Sequence, residues 1–539
     1  MAREVFVRCP LDTTANCYRD RNGSAFPNAC RLRPARSNEN AMTLSLAAMS
    51  PSSVVITGPE ALWKWRIERE LPVPGHEYMP RFRRHQWDGM WRPGKWCREK
   101  DVGVFELSCS RGLAPRIIRD LGGAVNFNVA AFEEISEFCW EYRKQVDKLR
   151  DFQLRALKGV LNEGWARIAF ATNAGKGAVI ALLALYAKRL GHPVLICCDE
   201  IAVFDALQGE ITQWAELTPT VVKQGIKEPP TFATTNSLVT LAMIPTLSRR
   251  LAGEKKAKVK PWHTWLAGIQ MLLIDEADKA DAATWRSVIN ASPNTIWRAG
   301  FSGSFPDELY YDLKLDELLG PIIDRATNAE MVERGISAKP LIEVHAFEGT
   351  SSLHSFPKDW WTIPAAERRT IVYEKVVVRN QARHDFIASR IRPDTPTAVV
   401  VNRIEHGHAL TLSIPGAVFL DGSASEDERI SVLEDWRLGR VRVIVVTKIF
   451  DRGTNRMGHM ADCIFASGEG STTQTLQRIG RGLRRAGGKE FLRLVDIVDH
   501  ISVEGADKRT KEAASYLHSA GRKRLDVYAT EGFEIEVVQ

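Results

Sequence analysis

From about residue 150 onward, short runs of β-branched and aliphatic residues alternate with amphipathic stretches of helical length. Runs at 167–171, 194–198, 271–274 and 296–301, and again at 398–401 and 441–446, read as strands with helices between them. Such alternation is the signature of parallel α/β sheets, in which each strand is reached through a helical crossover. A stretch around 330–395 separates the two sets by too much chain for one sheet, so two α/β domains in tandem are expected. Ahead of them, 53–57 reads as a strand, 59–70 as a helix and 102–107 as another strand, which predicts a small α+β domain ending near residue 145. Residues 1–50 lack periodicity and run into Ser50-Pro51-Ser52-Ser53, as a loosely ordered leader would. At the other end, 525–538 reads as a terminal strand or hairpin packing back on the domain before it. No repeat of solenoid length is present. The expected division is a leader at 1–50, the α+β domain at 51–145, α/β domains at 146–335 and 336–505, and a C-terminal tail at 506–539.

Composition adds little that conflicts. A chain of 539 residues holds three or four domains at roughly 150 residues each, and 44% hydrophobic with 26% charged residues excludes wholesale disorder or a fibrous repeat. The formal charge of +7 permits polyanion binding without demonstrating it. Nine cysteines form no regular framework, and Cys197-Cys198 are adjacent in an apolar stretch, so free thiols in a reducing cytoplasm are expected. Cys9, Cys17 and Cys30 lack the paired short spacings of a zinc site. No apolar run approaches the ~20 residues that span a bilayer, and no compact apolar core follows the N-terminal basic residues, so neither membrane insertion nor export is expected.

The candidate chemistry begins where the strand at 167–171 meets Thr172-Asn173-Ala174-Gly175-Lys176-Gly177 and a helix over 178–189. A nucleotide phosphate needs closely approached backbone N–H groups, a helix N-terminus and a lysine for the outer phosphates, and Gly175 with Lys176 supplies them. Asn173 stands where glycine is usual, and asparagine tolerates left-handed backbone. Gly177 departs from the pattern, which ends in a serine or threonine whose hydroxyl ligates Mg²⁺. Taken alone, the loop reads more readily as an ordinary glycine-containing turn than as a nucleotide site. About a hundred residues later the run at 271–274 delivers Asp275-Glu276-Ala277-Asp278 at its C-terminal end, where an α/β sheet presents ligands. There Asp275 would hold Mg²⁺, through water if no hydroxyl is offered at 177, and Glu276 would orient or deprotonate the attacking water. The bland alternative is a helix start enriched in acids for dipole reasons.

The order of these motifs resembles that of superfamily 2 helicases over roughly residues 148–500. The resemblance implies two tandem RecA-like parallel-sheet motor domains behind the α+β domain, and an ATP- and Mg²⁺-dependent motor on nucleic acid. Arg150-Asp151-Phe152-Gln153 resembles the upstream motif whose glutamine reads adenine, which gives Gln153 that role. Thr172 to Gly177 match the phosphate loop with the departures noted, and Asp275 to Asp278 match the acidic motif letter for letter. Ser302-Gly303-Ser304 sits where the family's Ser-Ala-Thr-like motif couples ATP state to nucleic-acid grip, differing in its middle and last residues. Arg403 falls in a stretch resembling the fourth motif. Thr447 to Asn455, with Gly453 inside, resembles the fifth, Asn455 replacing a frequent aspartate. Gln477-Arg478-Ile479-Gly480-Arg481-Gly482-Leu483-Arg484 matches the sixth at every fixed position. Its physical purpose is charge compensation, since a guanidinium can bind the phosphoryl oxygens bidentately as charge spreads over them. Arg481 and Arg484 are the implied arginine fingers, and their place in the second domain implies that hydrolysis needs the two domains to close.

The letters Asp-Glu-Ala-Asp suggest an RNA helicase, but that family's sixth motif usually begins with histidine and its third reads Ser-Ala-Thr. Here Gln477 and Ser302-Gly303-Ser304 stand instead, which favours DNA. In the N-terminal domain Arg81, Arg83, Arg84 and Trp87 sit among further cations and Trp91, a mixture suited to phosphates and unstacked bases, although the tryptophans suit a structural hairpin equally well. The Arg-Phe-x-x-x-x-Trp-Asp-Gly pattern resembles the small DNA-recognition domain of UvsW-type phage helicases, which implies remodelling of forks and recombination intermediates in a host-cell cytoplasm. Lys255, Lys256, Lys258 and Lys260 read as a solvated loop, while Arg522-Lys523-Arg524 is ambiguous. The competing functions are an RNA helicase, a translocating subunit whose partner carries a nuclease, and a DNA-binding protein whose ATPase is impaired at Gly177. No sequence feature names a protein partner.

Overall fold

A computed structural model describes residues 18–19, 25–26, 44–74, 79, 88–123, 127, 129–234, 237–348, 356–357, 359–447, 458–468, 472–485, 488–501, 503–504 and 506–538. The chain divides into two compact units, Met1–Phe170 with Gly175–Arg325, and Ala171–Ala174 with Ala326–Gln539.

In the first unit a seven-stranded sheet runs in the order Thr220–Val222, Val239–Met243, Val194–Cys198, Met271–Asp275, Trp297–Ser302, Trp165–Phe170 and Ile322–Ala326. The registered pairs among the first six strands are parallel. The strands in the middle of the sheet are buried along their whole length, as a parallel sheet covered on both faces requires. The crossover helix Lys176–Arg189 is correspondingly apolar and buried from Gly177 to Ala187. Strands Met271–Asp275, Trp297–Ser302 and Trp165–Phe170 are neighbours, with Asp275 opposite Phe301 and Ser302 opposite Ala169. Because they are parallel, their carboxyl ends share one edge, and the loops that follow them carry three of the sequence motifs to that edge.

The small N-terminal sheet has the order Ser45–Ser50, Ser53–Pro59, Val104–Ser110 and Trp96–Asp101, paired antiparallel, with helix Glu60–Glu68 packed against it. Ser45–Ser50 is a strand, so the small domain starts earlier than residue 51. Apolar Leu46 and Leu44 are buried in it, and pairing with the next strand across a tight turn, Ser50 opposite Ser53, makes a strand of SLAAMS.

The second unit repeats the plan with all registered pairs parallel, in the order Val418–Leu420, Val443–Val446, Thr397–Val400, Asp462–Phe465, Phe491–His500, Lys339–Glu348 and Ile535–Val538. The separating stretch around 330–395 thus contributes Lys339–Glu348 to the sheet interior. The tail at 525–538, expected as a terminal strand or hairpin packing back on the domain before it, ends in that strand but begins as helix. Helix Lys508–Thr530 runs through its first half, and only Ile535–Val538 is a strand, which joins the sheet beside Lys339–Glu348. That helix is anchored by Arg524, whose Nε lies 2.9 Å from Asp496 Oδ2 while the Tyr528 hydroxyl donates to the same oxygen at 2.8 Å. Arg524 is buried, so this member of the ambiguous basic cluster is structural. A second buried pair joins Arg383 to Asp499 at 2.6 Å. Among the described residues no helix is long and apolar enough to cross a membrane.

Candidate functional site

The phosphate loop starts where strand Trp165–Phe170 ends. Thr172 and Asn173 make the turn, Asn173 with φ 78° and Gly175 with φ 77°, and the helix begins at Lys176. The left-handed geometry expected of Asn173 is therefore present, and Gly175 uses the conformational freedom that only glycine has without cost. Gln153, on helix Asp151–Glu163, is buried and donates from Nε2 to the Gly175 carbonyl at 3.2 Å, while its Oε1 accepts from the Arg150 N–H at 2.9 Å. A Cβ on Gly175 would run into that amide. The glutamine thus props the loop from behind.

Asp275 ends its strand and is buried, with Oδ1 lacking any hydrogen-bond partner. Burial pushes its carboxyl up to about 7, Lys176 pulls against the rise, and Glu276 and Glu210 add to it. An anion placed so is costly unless a cation joins it. The orphaned oxygen beside a lysine therefore fits a divalent ion carried by a polyphosphate, a class of site that Mg²⁺ occupies with few carboxylates and several substrate oxygens. Among the described residues no group of three His, Cys, Asp or Glu side chains gathers as a self-sufficient metal cage. Glu276 follows with φ 55°. Asp278 is linked to the third motif: the Ser302 hydroxyl donates to its Oδ1 at 2.9 Å, and the Ser304 N–H donates to Ser302 Oγ at 3.2 Å. Burial raises the Asp278 carboxyl to about 7, with Glu276 adding to it and the Ser302 bond opposing. Gly303 bridges the two serines in the chain, so the three residues of this motif hang on one acidic side chain.

Sequence reasoning missed Glu210. It lies on helix Ile201–Ala215, and a Cβ built on Gly177 would coincide with its carboxylate oxygen Oε2 and stand 3.3 Å from its Cβ. No motif marks Glu210, and its only trace in the sequence is the missing side chain at 177.

In the second unit, Arg403 is exposed at the start of helix Ile404–Ser413, just past strand Thr397–Val400. Thr447 is buried at the end of the neighbouring strand Val443–Val446. Helix Thr472–Gly482 carries Gln477 and Arg481, the latter buried, and Arg484 follows in a bridge to Ser337. Arg478 reaches Asn402 Oδ1 at 2.5 Å, tying the sixth motif to the fourth within this unit. Gly453 and Asn455 lie outside the described residues, as do Arg81, Arg83, Arg84 and Trp87 of the N-terminal candidate surface and Cys9, Cys17 and Cys30. Trp91 is described: its ring meets Tyr310 edge-on at 5.9 Å, and Lys314 Nζ lies 5.2 Å from its centre. Arg92 pairs with Asp88 and Glu70, and Arg98 and Lys100 pair with Glu106, so much of the local positive charge is compensated. Lys255, Lys256, Lys258 and Lys260 are exposed, as a solvated loop would be.

Comparison with known proteins agrees with this layout. Residues 383–486 match the family model "Helicase conserved C-terminal domain". The chain is 22% identical over 483 residues to the ATP-dependent DNA helicase uvsW of Enterobacteria phage T4, covering 85% of this chain and 91% of that one. Among solved structures, T4 UvsW matches at 18% identity over 92% of this chain and 99% of its own, with a TM-score of 0.36. The S. cerevisiae Dbp5 bound to RNA and ADP BeF3 matches at 15% identity over 75% and 93%, with a TM-score of 0.45. With two seven-stranded α/β sheets, the ordered motifs at their strand ends and a helicase C-terminal domain on the second, the chain is a superfamily 2 ATP-dependent helicase of UvsW-like kind.

Proposed function

We propose that this helicase is a DNA translocase that remodels branched DNA, such as forks and recombination intermediates, in the replication, recombination or repair of a phage, working in the host-cell cytoplasm. The observation that carries the motor assignment is the constellation around Lys176: a left-handed Gly175, a helix starting at the lysine, and the buried, orphaned Asp275 oxygen beside it. DNA is favoured by Gln477 and by Ser302-Gly303-Ser304, and by similarity along 91% of the length of a phage DNA helicase.

In this reading the loop N–H groups and Lys176 bind the ATP phosphates, and Gln153 holds the loop and senses the base. Asp275 binds the accompanying Mg²⁺, which when present neutralises phosphate charge. Glu276 orients the attacking water and accepts its proton. Arg481 and Arg484 compensate the charge that spreads over the transferred phosphoryl group, a role worth about 10³ to 10⁵ in turnover in related chemistry. Ser302, Gly303 and Ser304, through Asp278, link the acidic loop to nucleic-acid grip, to which Arg403 and Thr447 contribute, with Arg81, Arg83, Arg84 and Trp87 as the N-terminal contact surface. Thr172, Asn173, Ala174, Gly177, Gly453 and Asn455 complete the nucleotide site, and Gln477 its catalytic set.

The test is steady-state ATP hydrolysis with no nucleic acid, single-stranded DNA, forked DNA and RNA, with Lys176→Ala as control. Strong stimulation by DNA that Lys176→Ala abolishes supports the reading. Preference for RNA, which the Asp275-Glu276-Ala277-Asp278 letters favour, replaces DNA by RNA as substrate. Tight DNA binding without hydrolysis leaves a binding protein.

A further inference from the structure

The glycine at position 177 removes the hydroxyl that a phosphate loop ordinarily turns toward its metal, yet the space is filled. A Cβ at 177 would fall on Glu210 Oε2, so the carboxylate occupies the room of the side chain that glycine lacks. Glu210 reaches there from the next helix, Ile201–Ala215, which packs against Lys176–Arg189. Asp275, near enough to Glu210 for the two charges to act on one another, presents a buried oxygen with no hydrogen-bond partner. Two carboxylates that feel each other's charge repel one another and would repel a ligand's phosphates, and a cation that joins them relieves both.

We propose that Glu210 replaces the missing loop hydroxyl, so that the cation entering with a nucleoside triphosphate is held by Glu210 and Asp275 together with phosphate oxygens. The proposal rests on the ATP-dependent reading above and adds a residue and a charge to it. A hydroxyl is neutral, whereas Glu210 brings a negative charge against the phosphates. Metal-free ATP is therefore rejected and the metal complex accepted, and nucleotide affinity in this chain depends steeply on Mg²⁺. Glycine at 177 is then a requirement of the site and not a lesion, since any larger side chain would displace the carboxylate.

The test is equilibrium binding of a fluorescent ATP analogue to the full chain, with Mg²⁺ or with excess chelator, for the wild type, Glu210→Gln, Glu210→Ala and the double variant Gly177→Ser with Glu210→Ala. Circular-dichroism melting checks that each is folded. In the wild type Mg²⁺ is expected to tighten binding. Glu210→Gln is expected to bind metal-free ATP more tightly than the wild type and to lose about 10- to 100-fold of the Mg²⁺ gain, the scale on which altered metal surroundings act. The double variant is expected to recover part of that gain, because the new hydroxyl finds the space vacated. If Glu210→Gln changes affinity by the same factor with and without Mg²⁺, Glu210 is only a counter-charge and the proposal falls, while the ATP-dependent reading stands. If the folded wild type binds no nucleotide under either condition, both fall together.

Discussion

His406, on helix Ile404–Ser413, stacks on His384 of helix Gln381–Ser389 with ring centres 5.4 Å apart and planes 30° apart. Neither ring nitrogen of His406 has a hydrogen-bond partner. Burial holds His406 well below its ordinary value of 6.5, and the neighbouring charges Arg383 and His384 push the same way. His384 is lowered by burial and by Arg383. A histidine kept neutral in the fold binds fewer protons than in the unfolded chain, so its stabilising share is present above pH 6.5 and is lost as pH falls. One pH unit below 6.5 the loss is RT ln 11, about 1.4 kcal/mol for His406 alone. His406→Phe keeps an aromatic ring against His384 and removes this titration. Hydrogen exchange over residues 381–413, compared between wild type and variant at pH 7.5 and 5.5, should show the variant-to-wild-type ratio of protection rising about tenfold at the lower pH. A ratio that stays constant would mean that His406 accepts a proton in the folded state, and would refute the reasoning. The paired comparison is needed because Asp275 and Asp278, held near 7, give the opposite slope: folded carboxyls raised above the unfolded value lose stability as pH rises toward 7.

Three further outcomes follow from particular contacts. Arg383→Met should destabilise the second unit by about 3 to 5 kcal/mol in chemical denaturation, because it strands the buried Asp499 that it bonds at 2.6 and 3.0 Å; adding Asp499→Leu should return much of that loss. Ser302→Ala withdraws the hydroxyl from Asp278, so it should cost about 1 to 3 kcal/mol in thermal melting and uncouple nucleic-acid unwinding from ATP hydrolysis more than it slows hydrolysis itself. Gly175→Ala forces a side chain into φ 77° and against the Gln153 amide; it should lower stability by at least about 1 kcal/mol and weaken ATP-analogue binding, whereas Gly191→Ala, at φ 76° with open space around it, should show the backbone cost alone.

Local chemistry made much of this protein legible without coordinates. Buried parallel strands announce themselves as short aliphatic runs, and those at 194–198 and 271–274 fall on strands Val194–Cys198 and Met271–Asp275. Motifs such as Gly175-Lys176 and Asp275-Glu276 are contiguous because a strand end and the turn after it must supply them together. What the sequence left open depended on partners distant in the chain. Lys339–Glu348 is a strand because it pairs with Phe491–His500, and 525–530 is helical because Arg524 and Tyr528 converge on Asp496. The same holds for the site. Gly177 looks like a defect when read along the chain, and only the packing of one helix on another reveals Glu210 in the space beside it, since a contact across 33 residues leaves no periodicity or spacing for the sequence to display.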